Sequence, residues 1–150
     1  MHLAPFAPEH LTRIEPREDD LVFRAAFTDH AERVQALAGL GPAFTLMDGD
    51  EPVASAGIML LSPGVGEAWA ALSRHVTRRP VAVHRRVARY LALAEDNLGL
   101  NRVQALCLAA NRRGGLWFTR LGFAKEGRLR RFLPGGVDVD IYARLRPWNQ

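Results

Sequence analysis

Between Glu67 and Leu108 the chain reads as a strand, a long amphipathic helix and a second strand, and this unit constrains the fold more than any other feature. The helix spans roughly Arg78 to Leu98. Val83, Val87, Tyr90, Leu91, Ala94 and Leu98 fall on one stripe, while Arg85, Arg86 and Arg89 mostly lie off it. Gly99 supplies the stop. Glu67 to Ser73 is strand-like, and Arg102 to Leu108 reads as a buried strand. Two strands joined by a helix of this length fit a right-handed parallel crossover, because a tight turn can only join antiparallel neighbours.

The remaining segments arrange themselves around that unit. Pro8 to Ile14 suits a short helix, followed by an acidic turn at Glu18 to Asp20. Asp29 to Leu40 predicts a helix, with Asp29 as N-cap, Ala31, Val34, Leu37 and Ala38 at helical spacing, and Gly39 or Gly41 as the end. Ala43 to Met47 and Val53 to Leu61 are strands joined at Asp48-Gly49-Asp50, and Ser62-Pro63-Gly64 turns the chain into the Glu67 strand. Such short connections imply an antiparallel meander. After the crossover come a glycine-weakened helix from Asn111 to Leu121 and a hairpin, Arg128 to Phe132 and Val137 to Tyr142, around Leu133-Pro134-Gly135-Gly136. Asp138 and Asp140 share one face of that hairpin and read as its wet side. The order predicts an α+β fold with a mixed sheet, and no repeat or linker divides residues 1–150 into more than one domain.

Composition narrows the function classes. With 48% hydrophobic and 24% charged residues the chain is globular rather than disordered. No apolar run approaches a membrane span, and Met1 to His10 lacks the charged start and apolar stretch of a secretory signal. Cys107 is the one cysteine, so no internal disulfide forms. A reducing, cytoplasmic setting is expected, with Cys107 an inert core thiol in the run Val103 to Leu108. The net charge of +4 is almost wholly arginine, since Lys125 is the sole lysine. Guanidinium forks suit phosphate and carboxylate partners, and the same bias also arises from a GC-rich genome. No zinc-finger spacing or helix-turn-helix pattern points to nucleic acid, and His75 and His84 are too isolated for a zinc site.

One motif is more specific. Asn111-Arg112-Arg113-Gly114-Gly115-Leu116-Trp117-Phe118-Thr119-Arg120-Leu121-Gly122-Phe123 places an asparagine after a strand, then a helix closing on Leu-Gly-Phe. By itself Leu121-Gly122-Phe123 is a helix stop, with Gly122 at C′ and Phe123 packing back. With Asn111 at its distance and the crossover before it, the chain resembles the GNAT acyltransferase superfamily over about Ala43 to Arg144. Val53-Ala54-Ser55-Ala56-Gly57 is similar to that family's third strand. The opening Pro5-Phe6-Ala7-Pro8-Glu9-His10-Leu11 resembles short GNAT-like proteins of bacteriophages.

The resemblance implies transfer of an acetyl or similar acyl group from acetyl-CoA, as cosubstrate, to an amine on a small molecule or a protein. It implies that backbone from Leu72 through Ser73 to Arg74 pairs with the pantetheine arm. The start of the crossover helix, Arg78, Arg79, Pro80, Val81, Ala82 and Val83, would face the pyrophosphate, since free N–H groups and the dipole at a helix N-terminus favour anions. Asn111 would support the cofactor near the splay between strands. Two departures stand out. The family's loop has the form Arg/Gln-x-x-Gly-x-Gly/Ala, but here both glycine positions hold valines, Val81 and Val83, whose side chains hinder close approach of phosphate to backbone. The later helix of many members carries a tyrosine that protonates the departing thiolate, and here that position is Phe118. Arg74, Arg78 and Arg79 read either as compensating phosphate contacts or as a solvated basic edge. Glu67, where the family often carries a base, reads either as that base, with burial near Trp69 raising its pKa, or as an exposed strand-end carboxylate. Together the departures keep open a second class: a GNAT-fold module without catalysis that binds a protein partner, such as a phage component.

Overall fold

The structure is a computed structural model describing residues 1–19, 21, 30–37 and 39–147. Among the described residues seven strands form one sheet: β1 (His2–Pro5), β2 (Ala43–Asp48), β3 (Glu51–Ser62), β4 (Val65–Leu72), β5 (Arg102–Leu108), β6 (Ala124–Leu133) and β7 (Val137–Leu145). Their order is β1-β2-β3-β4-β5-β7-β6, with β4 and β5 parallel and every other neighbouring pair antiparallel. The helices whose full span lies among the described residues are α1 (Pro8–Arg13), α2 (His30–Leu37), α3 (Pro80–Leu98) and α4 (Arg112–Arg120), and a 3-10 turn spans Arg74–Arg78. This is the expected α+β architecture with a mixed sheet.

The crossover helix α3 forms where its stripe predicts. Val83, Val87, Leu91 and Ala94 are buried against the sheet, joining Leu46, Ile58, Val103 and Ala105 in the main core. Pro80 opens the helix, where its missing N–H costs nothing, and Gly99 closes it with φ 62, a left-handed angle that glycine adopts without strain. The end of α4 is a Schellman motif: the Phe123 N–H reaches the Phe118 carbonyl at 3.0 Å, and the Gly122 N–H reaches that of Thr119 at 3.0 Å. Leu121 and Phe123 are both buried, so the Leu-Gly-Phe triplet stops the helix and anchors it. No helix among the described residues is long and apolar enough to cross a membrane.

Several expectations need correction. Strand β1 was not foreseen; it pairs along β2 from His2↔Met47 to Pro5↔Phe44. Glu18 and Asp19 are helical, with the Leu21 N–H on the Arg17 carbonyl, rather than an open acidic turn. Asp20, the proposed cap Asp29 and Ala38 lie outside the described residues. The largest correction concerns Asp138 and Asp140. Strand β7 lies between β5 and β6, so its residues are not on an edge. Asp140 is buried and paired with Arg128 at 2.8 Å and Lys125 at 3.1 Å. The Asp138 carboxylate accepts the Arg131 N–H at 2.8 Å, and Arg131 holds φ 52 within a bulge of β6. That bulge turns Phe132 and Leu133 toward the cavity described next.

Candidate active site

β4 and β5 are paired only from Val65↔Arg102 to Ala68↔Ala105. Both strands run on, to Leu72 and Leu108, without further pairing to each other. Between their free ends opens a cavity of about 980 Å³ that reaches both faces of the sheet. Strand alternation divides its walls. Ala68 and Leu72 belong to the face covered by α3 and α4, and Glu67, Trp69 and Ala71 to the opposite face, where Trp69 and Ala71 pack with Leu11 and Ile14 of the α1 segment.

The first wall is formed by the start of α3 and by α4. Val83 is 3% exposed and turns into the core, whereas Val81 is 60% exposed, and both border the cavity. The Val83 N–H closes on the Arg79 carbonyl at 3.1 Å, so the first turn leaves the N–H groups of Val81 and Ala82 without helical acceptors. Asn111 caps α4, its Oδ1 accepting the Gly114 N–H at 2.8 Å. A Cβ on Gly114 would lie 2.8 Å from Cys107 Sγ, and one on Gly115 would lie 2.5 Å from Tyr142 Oη. The glycine pair that weakens this helix therefore lets it sit directly on β5 and β7. Phe118 stacks among Phe123, Tyr142 and Trp117, with centroids at 5.4, 5.5 and 6.0 Å. Burial pushes the Tyr142 phenol up, so it stays protonated at neutral pH. The Trp117 indole N–H donates to His84 Nδ1 at 3.2 Å, which requires that nitrogen unprotonated.

On the second wall Glu67 is half-buried and accepts a hydrogen bond from Gln104 Nε2 at 2.9 Å. The lining here carries the apolar Leu11, Trp69, Leu106, Leu108, Phe132 and Leu133, and with them the charged Arg17, Asp19 and Arg33.

The residues singled out from sequence distribute unevenly over this geometry. Glu67, Leu72, Pro80, Val81, Val83, Asn111 and Phe118 all border the cavity. The Ser73 N–H is taken up by the Val53 carbonyl and the Arg74 N–H by that of Glu15, both at 2.9 Å. Because antiparallel hydrogen bonding alternates, the backbone groups of Leu72 and Ala70 point the other way, into the opening. Ser73 is buried, and its hydroxyl accepts the His75 N–H at 3.1 Å. Arg74 pairs with Glu15 at 2.5 Å. Arg78 and Arg79 border a separate shallow hollow beside Asp48 and Glu51. Ala82 is half-buried just behind Val81. Cys107 is buried, as expected of a core thiol, yet it also lines the cavity, its Sγ 3.7 Å from the Asn111 carbonyl. Gln104 and His84 were not foreseen as site residues. Gln104 alternates with apolar neighbours in β5, and only the strand register brings it beside Glu67.

Solved structures share this architecture along the whole chain. One provisionally assigned as a phosphinothricin N-acetyltransferase matches with a TM-score of 0.75 at 15% identity, over 98% of this chain and 99% of that one. A GNAT-family acetyltransferase from Bacillus anthracis matches with a TM-score of 0.72 at 16% identity, over 95% and 93%. A ribosomal-protein α-N-acetyltransferase in complex with coenzyme A matches with a TM-score of 0.69 at 14% identity, over 95% and 92%. The chain therefore has the fold of the GNAT acetyltransferases. No protein-family model and no curated protein matches its sequence.

Proposed function

We propose that this chain is an acyltransferase of the cytoplasm, acting as one domain, that moves an acetyl group from acetyl-CoA to an amine. The observation that carries this reading is the opening between β4 and β5, which joins a helix N-terminus on one face to the Glu67 carboxylate on the other. Its volume of about 980 Å³ is ample for a pantetheine arm and an acceptor. Leu72 and Ala70 offer the arm a strand edge to pair with, and the first turn of α3 offers the pyrophosphate two N–H groups. Val81 narrows the approach to that turn.

In the proposed reaction the acceptor enters as an ammonium from the Glu67 side. Glu67 takes one proton, the freed amine attacks the thioester carbonyl, and a tetrahedral intermediate forms. Its collapse breaks the carbon–sulfur bond as the nitrogen gives up its second proton to solvent, leaving the amide and the CoA thiolate. Phe118 has no proton to give, so the thiolate takes its proton from solvent. Trp69, Leu106 and Phe132 offer a hydrophobic body contact, and Arg17 and Arg33 outnumber Asp19 on the same lining, which disfavours a polycation. Incubation with acetyl-CoA and 2-phenylethylamine, spermidine or an alanine-initiated peptide tests the reading, with CoA release read by a thiol reagent and the product by mass spectrometry. Release above the amine-free rate, fastest with 2-phenylethylamine, is the expected result; no acetylated product from any of the three contradicts it. Val81 and Phe118 favour a second reading, a binding module without catalysis, which predicts instead a stoichiometric protein partner in pull-downs.

A further inference from the structure

The carboxylate proposed as the base is the end of a chain of hydrogen bonds that crosses half the sheet. Glu67 and Gln104 are register partners on the penultimate rung before β4 and β5 part. Their side chains therefore share a face at the edge of the opening, and Gln104 Nε2 donates to Glu67 Oε1 at 2.9 Å. Two residues earlier on the same face, Arg102 Nε donates to Gln104 Oε1 at 3.2 Å. Arg102 is itself gripped by Glu126 on β6, with Nη2 to Oε1 at 2.6 Å and Nη1 to Oε2 at 3.1 Å.

We propose that Gln104 is a positioning residue for Glu67, held in its donating orientation by the Arg102–Glu126 pair. This rests on the reading of Glu67 as the base. A glutamine amide has one accepting and one donating end, and the two neighbours demand opposite ends. Arg102 Nε–H requires an oxygen, so Oε1 must face it, which turns the NH₂ toward Glu67. The reverse orientation would set NH₂ against guanidinium and carbonyl oxygen against carboxylate. Glu67 Oε1 is thereby fixed, while Oε2 has no hydrogen bond among the described residues and is the oxygen left for the acceptor's proton.

The chain also explains why a neutral residue stands between the two charges. A direct Arg102–Glu67 pair would hold the carboxylate in an ion pair and weaken it as a proton acceptor. Here the guanidinium charge is met by Glu126, and among the described residues the hydrogen bond to Glu67 comes from the neutral Gln104 amide. The carboxylate is oriented without being neutralised.

The test is a double-mutant cycle on kcat and KM, using acetyl-CoA and whichever of the three amines above reacts fastest. Gln104→Leu is expected to lower kcat about 10-fold, with the KM for acetyl-CoA unchanged within about twofold, because orientation acts on the chemical step. Arg102→Leu is expected to lower kcat several-fold by freeing the amide to turn. In a Glu67→Gln background neither change should lower kcat further, since both act through Glu67. Gln104→Met, which keeps length and volume, serves if the leucine variant does not fold. Wild-type kcat in the Gln104 variants overturns the proposal, as does an equal loss with and without Glu67. A Glu67→Gln enzyme as active as wild type removes Glu67 as base, and no turnover with any amine removes both readings.

Discussion

Val81→Gly tests most sharply whether the first turn of α3 is narrowed for phosphate, because the helix start positions its two valines so differently. Val83 lies two residues on, about 200° around the helix, and is 3% exposed within the core, while Val81 is 60% exposed at the cavity rim. Truncating Val81 therefore sacrifices little buried surface. The loss of helix propensity between valine and glycine is roughly 0.3–0.5 kcal/mol. Against it stands relief of a β-branched side chain crowding the phosphate, comparable to overpacking at about 1–3 kcal/mol. If that crowding is present in the complex, the dissociation constant for acetyl-CoA should fall by roughly 5- to 150-fold. Titration calorimetry on both proteins measures it directly. Val83→Gly is the control: it should lower stability by about 2–4 kcal/mol through a core cavity and leave affinity no tighter. A folded Val81→Gly protein that binds acetyl-CoA no more tightly than wild type would refute the argument that this side chain narrows the site.

Other outcomes follow from the same geometry. Phe118→Tyr places a hydroxyl on a ring that borders the cavity, and should raise the rate of acetyl transfer at least about 10-fold in a CoA-release assay. Buried Glu95 is held by Arg144, whose Nη2 donates to Oε2 at 3.2 Å and whose Nε approaches Oε1 at 2.7 Å as an ion pair without hydrogen-bond geometry. Arg144→Met strands that carboxylate and should cost about 3–5 kcal/mol in urea unfolding. The Arg128 hydrogen bond, then that of Lys125, holds the Asp140 carboxyl below its ordinary value of 3.8. A depressed folded value stabilises above the unfolded pKa and is lost as pH falls through the folded one, so Asp140→Asn should flatten the loss of thermal stability below about pH 4.

The fold was legible wherever a segment carried its own period. The α3 stripe, the strand after it and the Leu121-Gly122-Phe123 stop are local patterns, and each formed within a few residues of its expected limits. β6 was less legible at its start, because Lys125, Glu126, Arg128 and Arg130 give an edge strand no apolar run to announce it. Its length was therefore underestimated, β7 looked like an edge, and Asp140 looked wet. Pairing with β6 is what buries that carboxylate against Arg128. The site divides in the same way. Val81, Asn111 and Phe118 stand within short local motifs, and the family resemblance carried by those motifs named them. The Gln104–Glu67 contact joins residues 37 apart and exists only once two strands take their register. Arg74, read either as a phosphate contact or as a solvated basic edge, has a partner the sequence around it does not reveal: Glu15, brought in by the N-terminal segment.

The central claim, that the opening between β4 and β5 takes a CoA thioester, is tested most directly by thermal unfolding with and without acetyl-CoA. A ligand bound only by the native state at about 100 times its dissociation constant stabilises by about 2.7 kcal/mol. For a domain of this size that corresponds to a rise in Tm of roughly 5–10 °C. The account predicts such a rise at millimolar acetyl-CoA, and a larger one for the Val81→Gly protein at subsaturating ligand. An unchanged Tm at millimolar acetyl-CoA in both proteins would contradict it.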